Sequence, residues 1–216
     1  MIDRFSIKMI ASPLQYLANK IDRWGYTADQ VTVFGFLIGL LVFPATLYQQ
    51  YHLALLFIII NRIFDGLDGA VARIQGITDS GGFLDITLDF LFYSLVPFAF
   101  VLATPENNAV AGAFLIFSFI GTGCSFLAFA VMAGKVNIEN PVYQHKSLYY
   151  IGGLTEGTET IACFVLLCLF PSYFTNIAYS FATLCWITTF TRIWAGYQTL
   201  KKTQAVQLLN KDSSPY

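Results

Sequence analysis

The chain has 216 residues, 56% of them hydrophobic and 12% charged, with a formal net charge of -1. A mean hydropathy of +0.61 excludes an ordinary soluble domain, and the lack of a basic patch interleaved with aromatics excludes nucleic acid as a partner. Repeated apolar stretches of about 20 residues point to helices crossing a bilayer, not to a barrel of short alternating strands.

Residues 1–24 are amphipathic. Ser12 and Pro13 look like an N-cap and first helical position, followed by Leu14, Leu17, Ile21 and Trp24 at steps of three and four. With Lys8, Lys20 and Arg23 as cations, this helix is expected to lie in the membrane interface. Packing against a partner domain is the alternative. No uninterrupted apolar run opens the chain, so no secretory signal peptide is expected.

Six apolar segments follow, at about 31–48, 53–73, 82–103, 109–133, 158–169 and 177–200. The fold class expected is therefore an all-α integral membrane protein. An interfacial helix (1–24) precedes a six-helix membrane domain (25–202), and a polar tail (203–216) ends the chain. Cys124, Cys163, Cys168 and Cys185 fall in apolar segments without metal-ligand spacing and read as small core residues.

Charge sets the orientation. Arg4, Lys8, Lys20 and Arg23 precede the first segment, Arg73 ends the second, Lys135 and Lys146 lie between the fourth and fifth, and Lys201, Lys202 and Lys211 follow the sixth. The loops near 49–52, 104–108 and 171–176 contain no Lys or Arg. The positive-inside rule then puts both termini on the cytoplasmic side, with a bacterial inner membrane as the expected location.

The second and third segments carry the chemistry. Residues 65–89, DGLDGAVARIQGITDSGGFLDITLD, hold Asp65, Asp68, Asp85 and Asp89. Ionised groups at membrane depth cost a few kcal/mol each, so they are expected to face a cavity, a partner or a metal. Asp65 and Asp68 are three apart and Asp85 and Asp89 four apart, which puts each pair on one helix face. A hairpin turning near residues 76–82 would let the pairs face each other, with Gly76, Gly81 and Gly82 permitting close approach of a ligand. Two divalent cations would neutralise four carboxylates, and all-oxygen ligation suits Mg2+ or Mn2+.

Asp65, Asp68, Gly69, Ala72, Arg73, Gly81, Asp85 and Asp89 fit the pattern D-x-x-D-G-x-x-A-R-x(7-8)-G-x-x-x-D-x-x-x-D. This resembles the signature of the CDP-alcohol phosphotransferase family. The resemblance implies that a CDP-linked donor lies with its diphosphate on two metal ions while an alcohol displaces CMP. By the same resemblance Asp65, Asp68, Asp85 and Asp89 hold metal, and Asp89 is also the base that takes the alcohol proton. Gly69 and Arg73 match donor-contacting positions, and Thr78 lies where some members place a hydroxyl. The stretch TADQVT at 27–32 is similar to a Thr-Pro-Asn-x-x-Thr stretch of the family, departing from it at Ala28 and Asp29. Asp29 and Thr32 are thus either donor contacts or helix caps.

The acceptor is less determined. Glu156 and Glu159, three apart at the start of the fifth segment, either contact it together with Arg192 and Lys146 or cap the helix. Few cations are available for a phosphorylated polyol, so an unphosphorylated polyol or an amino alcohol fits better. The leading reading is transfer from CDP-diacylglycerol to a small alcohol by an enzyme in the lipid bilayer, which the resemblance implies is a homodimer. Its alternatives are transfer from a CDP-amino alcohol to diacylglycerol and, from another class, a divalent-cation transporter. Against the transporter, no acids continue beyond Asp89 toward the far side of the membrane.

Overall fold

The computed structural model describes residues 3–136 and 153–212, with side chains for 13–136 and 153–205. Among the described residues every regular element is helical. In chain order these are α1 (Asp3–Arg23), α2 (Ala28–Gly39), α3 (Val42–Leu47), α4 (Tyr51–Gln75), α5 (Asp79–Ala103), α6 (Pro105–Lys135), α7 (Gly157–Leu169) and α8 (Phe174–Asp212). A 3-10 turn, Pro171–Tyr173, separates α7 from α8. Each apolar segment of the sequence is occupied by helix, and the Lys- and Arg-free loops fall at the breaks.

Several boundaries differ from the sequence reading. Helix α1 does not start at Pro13 but runs through it. A proline inside a helix removes one amide donor and crowds the preceding turn. The buried stripe of α1 also differs: Ala18 is fully buried, with Leu14 and Ile21 beside it, whereas Leu17 and Trp24 are exposed. The small side chain of Ala18 lets the helix approach Leu67, Ala70 and Val71 of α4 and Val31 of α2. The first segment is broken, because the chain leaves α2 at Leu40 and re-enters helix at Val42. Helix α5 starts at Asp79, capped by Thr78, so Gly81 and Gly82 sit in its first turn and the turn itself is 76–78. Gly76 alone there has a positive φ, +104°. Helix α8 continues past residue 200 to Asp212, so much of the expected tail is helical.

The chain forms two compact units, one of Met1–Ile116 with Gly157–Phe181, the other of Phe117–Glu156 with Ala182–Tyr216. In the first, α4 is central and packs against α1, α2, α3 and α7. Glycines on α2 make the approach possible. A Cβ at Gly35 would lie 2.5 Å from the Cβ of Phe64, and one at Gly39 would lie 2.8 Å from Asn61 Nδ2 and 3.0 Å from the Phe92 ring. Small residues at such crossings let membrane helices pack closely. At the other end of the unit Phe100 stacks between Tyr51 and Phe174, with centroids 5.4 and 5.2 Å away.

Gln75, at the end of α4, ties three backbone segments together. Its Nε2 donates to Asp22 Oδ1 and to the Tyr26 carbonyl, both at 2.9 Å, and its Oε1 accepts from the Ala28 amide at 3.2 Å. Helix α2 is opened by a reciprocal cap in which the Gln30 amide donates to Thr27 Oγ1 and the Thr27 amide to Gln30 Oε1. The capping residue is therefore Thr27, and neither Asp29 nor Thr32 has that role.

In the second unit, the Thr155 and Thr188 hydroxyls are 2.9 Å apart. Buried Arg192 donates to the Thr122 carbonyl at 3.3 Å and lies over the Phe126 ring. Gly121 faces Thr189 and Trp186 closely enough that a Cβ would crowd them.

Three described segments are long and apolar enough to cross a membrane: Ala28–Leu47, Asp79–Ala103 and Pro105–Lys135. The pair flanking Phe170 makes a fourth if it is taken as one span. The six-segment reading differs in counting α4, whose Arg62, Asp65, Asp68 and Arg73 break its apolar run, and in taking α7 and α8 as separate spans. Large apolar side chains such as Phe34, Phe83, Val110, Phe190 and Trp194 are exposed, as lipid-facing positions of an integral membrane protein are.

The α2–α4 crossing predicts a specific sensitivity. Gly35→Ala puts a methyl group into Phe64, and such overpacking costs about 1–3 kcal/mol. Thermal unfolding in detergent should show a lower midpoint for this variant, and an unchanged midpoint would contradict the close crossing.

Candidate active site

Two helical periodicities build the site. On α4, Arg62, Asp65 and Asp68 follow at steps of three; on α5, Asp85, Asp89 and Tyr93 follow at steps of four. Past the turn at 76–78, the acidic face of α5 meets that of α4 through side chains. One carboxylate oxygen from each of Asp65, Asp85 and Asp89 lies within 4.8 Å of the others. Oxygens around one hard divalent ion, bonded at about 2.0–2.6 Å, span about 4–5 Å at most. The trio thus fits such an ion.

Asp68 lines the same pocket, together with Thr32. It is 5% exposed, and its Oδ2 accepts no hydrogen bond from the protein. A buried carboxylate oxygen without a donor is costly, so this oxygen also calls for a cation or a polar ligand. The Thr32 hydroxyl sits beside Asp68 and can donate back to the Ala28 carbonyl at 3.1 Å.

The sequence reading overlooked the cation. Arg62 donates from Nη2 to Asp89 Oδ1 at 2.8 Å, and its Nη1 lies 3.5 Å from Asp65 Oδ2. Its Nε and Nη2 also donate to Asn61 Oδ1 at 2.9 and 2.7 Å, while Asn61 Nδ2 donates to the Gly35 carbonyl at 3.0 Å. Nη1 donates to the Tyr93 hydroxyl at 3.3 Å, and the guanidinium lies over the rings of Phe92 and Tyr93, 5.0 and 5.4 Å from their centroids. The signal was present, since Arg62 stands one helical turn before Asp65 in an otherwise apolar run of the sequence. Tyr93 shared the spacing of Asp85 and Asp89 but not a charge, and Asn61 carried no comparable sequence signal.

The remaining candidates are distributed more widely. Asp29 approaches the start of α5, where a Cβ at Gly81 would lie 3.0 Å from its Oδ1. Thr78 caps α5 by accepting from the Gly81 amide at 3.1 Å. Gly69 leaves room beside the Arg73 guanidinium, 3.5 Å from where a Cβ would stand, and Arg73 is exposed. None of these four lines the pocket around the aspartates. Glu159 is half-buried in the first turn of α7 in the first unit. Glu156 belongs to the second unit, where its Oε1 accepts from the Gly153 amide at 2.9 Å, and Arg192 belongs to that unit too. Lys146 lies outside the described residues. None of the four cysteines forms a disulfide, and Cys163, Cys168 and Cys185 are buried as the reading of them as core residues requires, whereas Cys124 is exposed.

Comparison with known proteins gives this geometry a context. The family described as CDP-alcohol phosphatidyltransferase matches residues 26–194. The inner membrane protein YnjF of Escherichia coli (strain K12) is 57% identical over 204 residues, 94% of this chain and 99% of its own length. An archaetidylinositol phosphate synthase of Pyrococcus horikoshii is 28% identical, covering 89% of this chain and 95% of its own. Among solved structures, the phosphatidylinositol phosphate synthase of Mycobacterium tuberculosis with CDP-DAG bound has the same fold, at TM-score 0.64 and 18% identity. The match covers 85% of this chain and 93% of that one. A second structure of that synthase, in complex with manganese and citrate, matches at TM-score 0.65 and 18% identity, covering 85% of this chain and 88% of that one.

Proposed function

The chain belongs to the CDP-alcohol phosphatidyltransferase family and is an enzyme of that class; from this premise we propose that it moves a phosphatidyl group from CDP-diacylglycerol to a small alcohol. The observation that carries the proposal is the meeting of Asp65, Asp85 and Asp89 within 4.8 Å at the acidic positions of the family motif. The CDP-DAG held by a structural neighbour supports the choice of donor.

In the proposed reaction the alcohol oxygen forms a bond to the phosphorus of the phosphatidyl group, the bond from that phosphorus to CMP breaks, and the alcohol proton passes to Asp89. Asp65, Asp68, Asp85 and Asp89 would hold two divalent ions, Mg2+ or Mn2+, and the manganese of a neighbour supports that choice of ion. Bound there, the ions would supply positive charge to the phosphoryl oxygens. Arg62 engages Asp89 Oδ1, so Oδ2, with only a 3.4 Å contact from the Tyr93 hydroxyl, is the oxygen suited to accept the proton. Thr32 and Asp29, near the start of α2, with Gly69, Arg73 and Thr78 near the α4–α5 turn, are proposed to contact the donor. A guanidinium can grip a phosphate through two donors.

For the acceptor we assign Glu156, Glu159, Arg192 and Lys146 as candidate contacts and favour an unphosphorylated polyol or an amino alcohol. We further propose six spans (25–202), a homodimer and a bacterial inner-membrane location, with both termini and the site cytoplasmic. Residues 1–24 would lie in the interface, and 203–216, into which α8 runs as far as Asp212, would form the polar tail. Exposed Tyr16 and Trp24 support the interfacial placement, as does Lys20, whose ammonium lies 4.9 Å from the centre of the Trp24 ring.

Purified protein supplied with CDP-diacylglycerol and a panel of alcohols should release CMP with at least one of them. That activity should vanish in EDTA and return with added Mg2+ or Mn2+, and full turnover in chelator would remove the metals from the reading. Asp89→Asn keeps the shape but loses the proton acceptor, so kcat should fall by about 100-fold or more while donor binding survives. Turnover at the wild-type rate would dismiss Asp89 as the base. Glu159→Gln should raise the acceptor KM more than the donor KM; if it lowers only the thermal midpoint, Glu159 serves the start of α7 and not the alcohol.

A further inference from the structure

We propose that Arg62 is a resident counter-ion of the carboxylate cluster, whose charge a divalent ion must overcome to bind beside Asp65 and Asp89, so that this side chain sets how tightly the site binds metal. The inference rests on the metal-dependent reading above and extends it to a residue outside the family motif.

Three observations carry it. Arg62 touches two of the three carboxylates that converge, Asp89 at 2.8 Å and Asp65 at 3.5 Å. A cation entering among those carboxylates therefore meets a like charge a few ångströms away and competes for the same two acids. The guanidinium is also held by neutral partners, Asn61 and Tyr93, and by the faces of two rings. It is fixed at the cluster independently of its ion pairs. Finally, the side chain is 16% exposed, so water screens its charge poorly.

The charge count gives the consequence. Four ionised carboxylates and one guanidinium leave an excess of three negative charges. Two divalent ions would overshoot that by one, and a diphosphate would offset the surplus. Arg62 thus weakens metal binding in the empty site and favours loading of the metals together with an anionic donor.

Mn2+ binding to detergent-purified full-length protein, followed by titration calorimetry and by the electron spin resonance signal of free Mn2+, tests this without turnover. Arg62→Met should bind Mn2+ at least about tenfold more tightly than wild type. Its midpoint of unfolding without metal should fall, and Mn2+ should raise it by more than in the wild-type protein. Arg62→Lys keeps the charge and should bind Mn2+ within a few-fold of wild type. Equal or weaker binding by Arg62→Met, or a fall in its midpoint that Mn2+ does not reverse, would overturn the counter-ion role and leave Arg62 a purely structural residue. Should Arg62→Met fail to fold, the same criteria apply to Arg62→Gln. Absence of Mn2+ binding in both wild type and variant would overturn the metal-dependent reading, and this inference with it.

Discussion

Carboxylates crowded together and drawn partly out of water need positive charge close at hand, and this one constraint orders the first of the two units. Asp65, Asp85 and Asp89 converge, and Asp68 is buried beside them with an oxygen that no protein donor reaches. No arrangement of apolar side chains could compensate such a group. The protein instead brings one guanidinium to two of the acids and leaves the remaining oxygens open to a ligand. What surrounds the cluster can be understood as what it takes to hold that unfinished arrangement in place.

Helix α2 is the main support. It has no side chain at Gly35 or Gly39, so α4 can approach its backbone, and Asn61 then uses the Gly35 carbonyl as an anchor for its own amide. The Asn61 oxygen in turn receives two N–H groups of Arg62. A run of contacts thus leads from a helix backbone through an amide and a guanidinium to Asp89. Each link has a fixed geometry, which is how a site achieves the sub-ångström placement that phosphoryl chemistry demands. Rings of Phe92 and Tyr93 close the remaining side of the guanidinium.

Much of this was legible in the sequence because helical spacing translates directly into shared faces. Asp65 with Asp68, and Asp85 with Asp89, could be paired across a turn from their separations alone. Arg62 could have been included by the same rule, but it precedes the motif and was passed over. Other features depend on packing that spacing does not encode. The register of α1 turns on Ala18, a residue whose value lies in its smallness. Pro13 carries a start signal that the longer helix overrides. Thr27, and not Asp29, caps α2, because Gln30 is placed to reciprocate. Glu156 satisfies a local amide, a contact that neither its charge nor its spacing from Glu159 announces.

Gln75 has a bearing on how the molecule assembles. The amide of Ala28 lies in the first turn of α2, where helix geometry supplies no acceptor, and it finds one in a side chain 47 residues further along. Helix α2 could coil by itself without closing that bond. Only after α4 has come to rest along α1 and α2 does the amide gain its acceptor, and the same event ties Asp22 and Tyr26 to the end of the motif helix. Slow deuterium uptake at Ala28 would therefore mark completed docking of three helices and not the winding of one, giving a single backbone position from which the order of folding events can be timed.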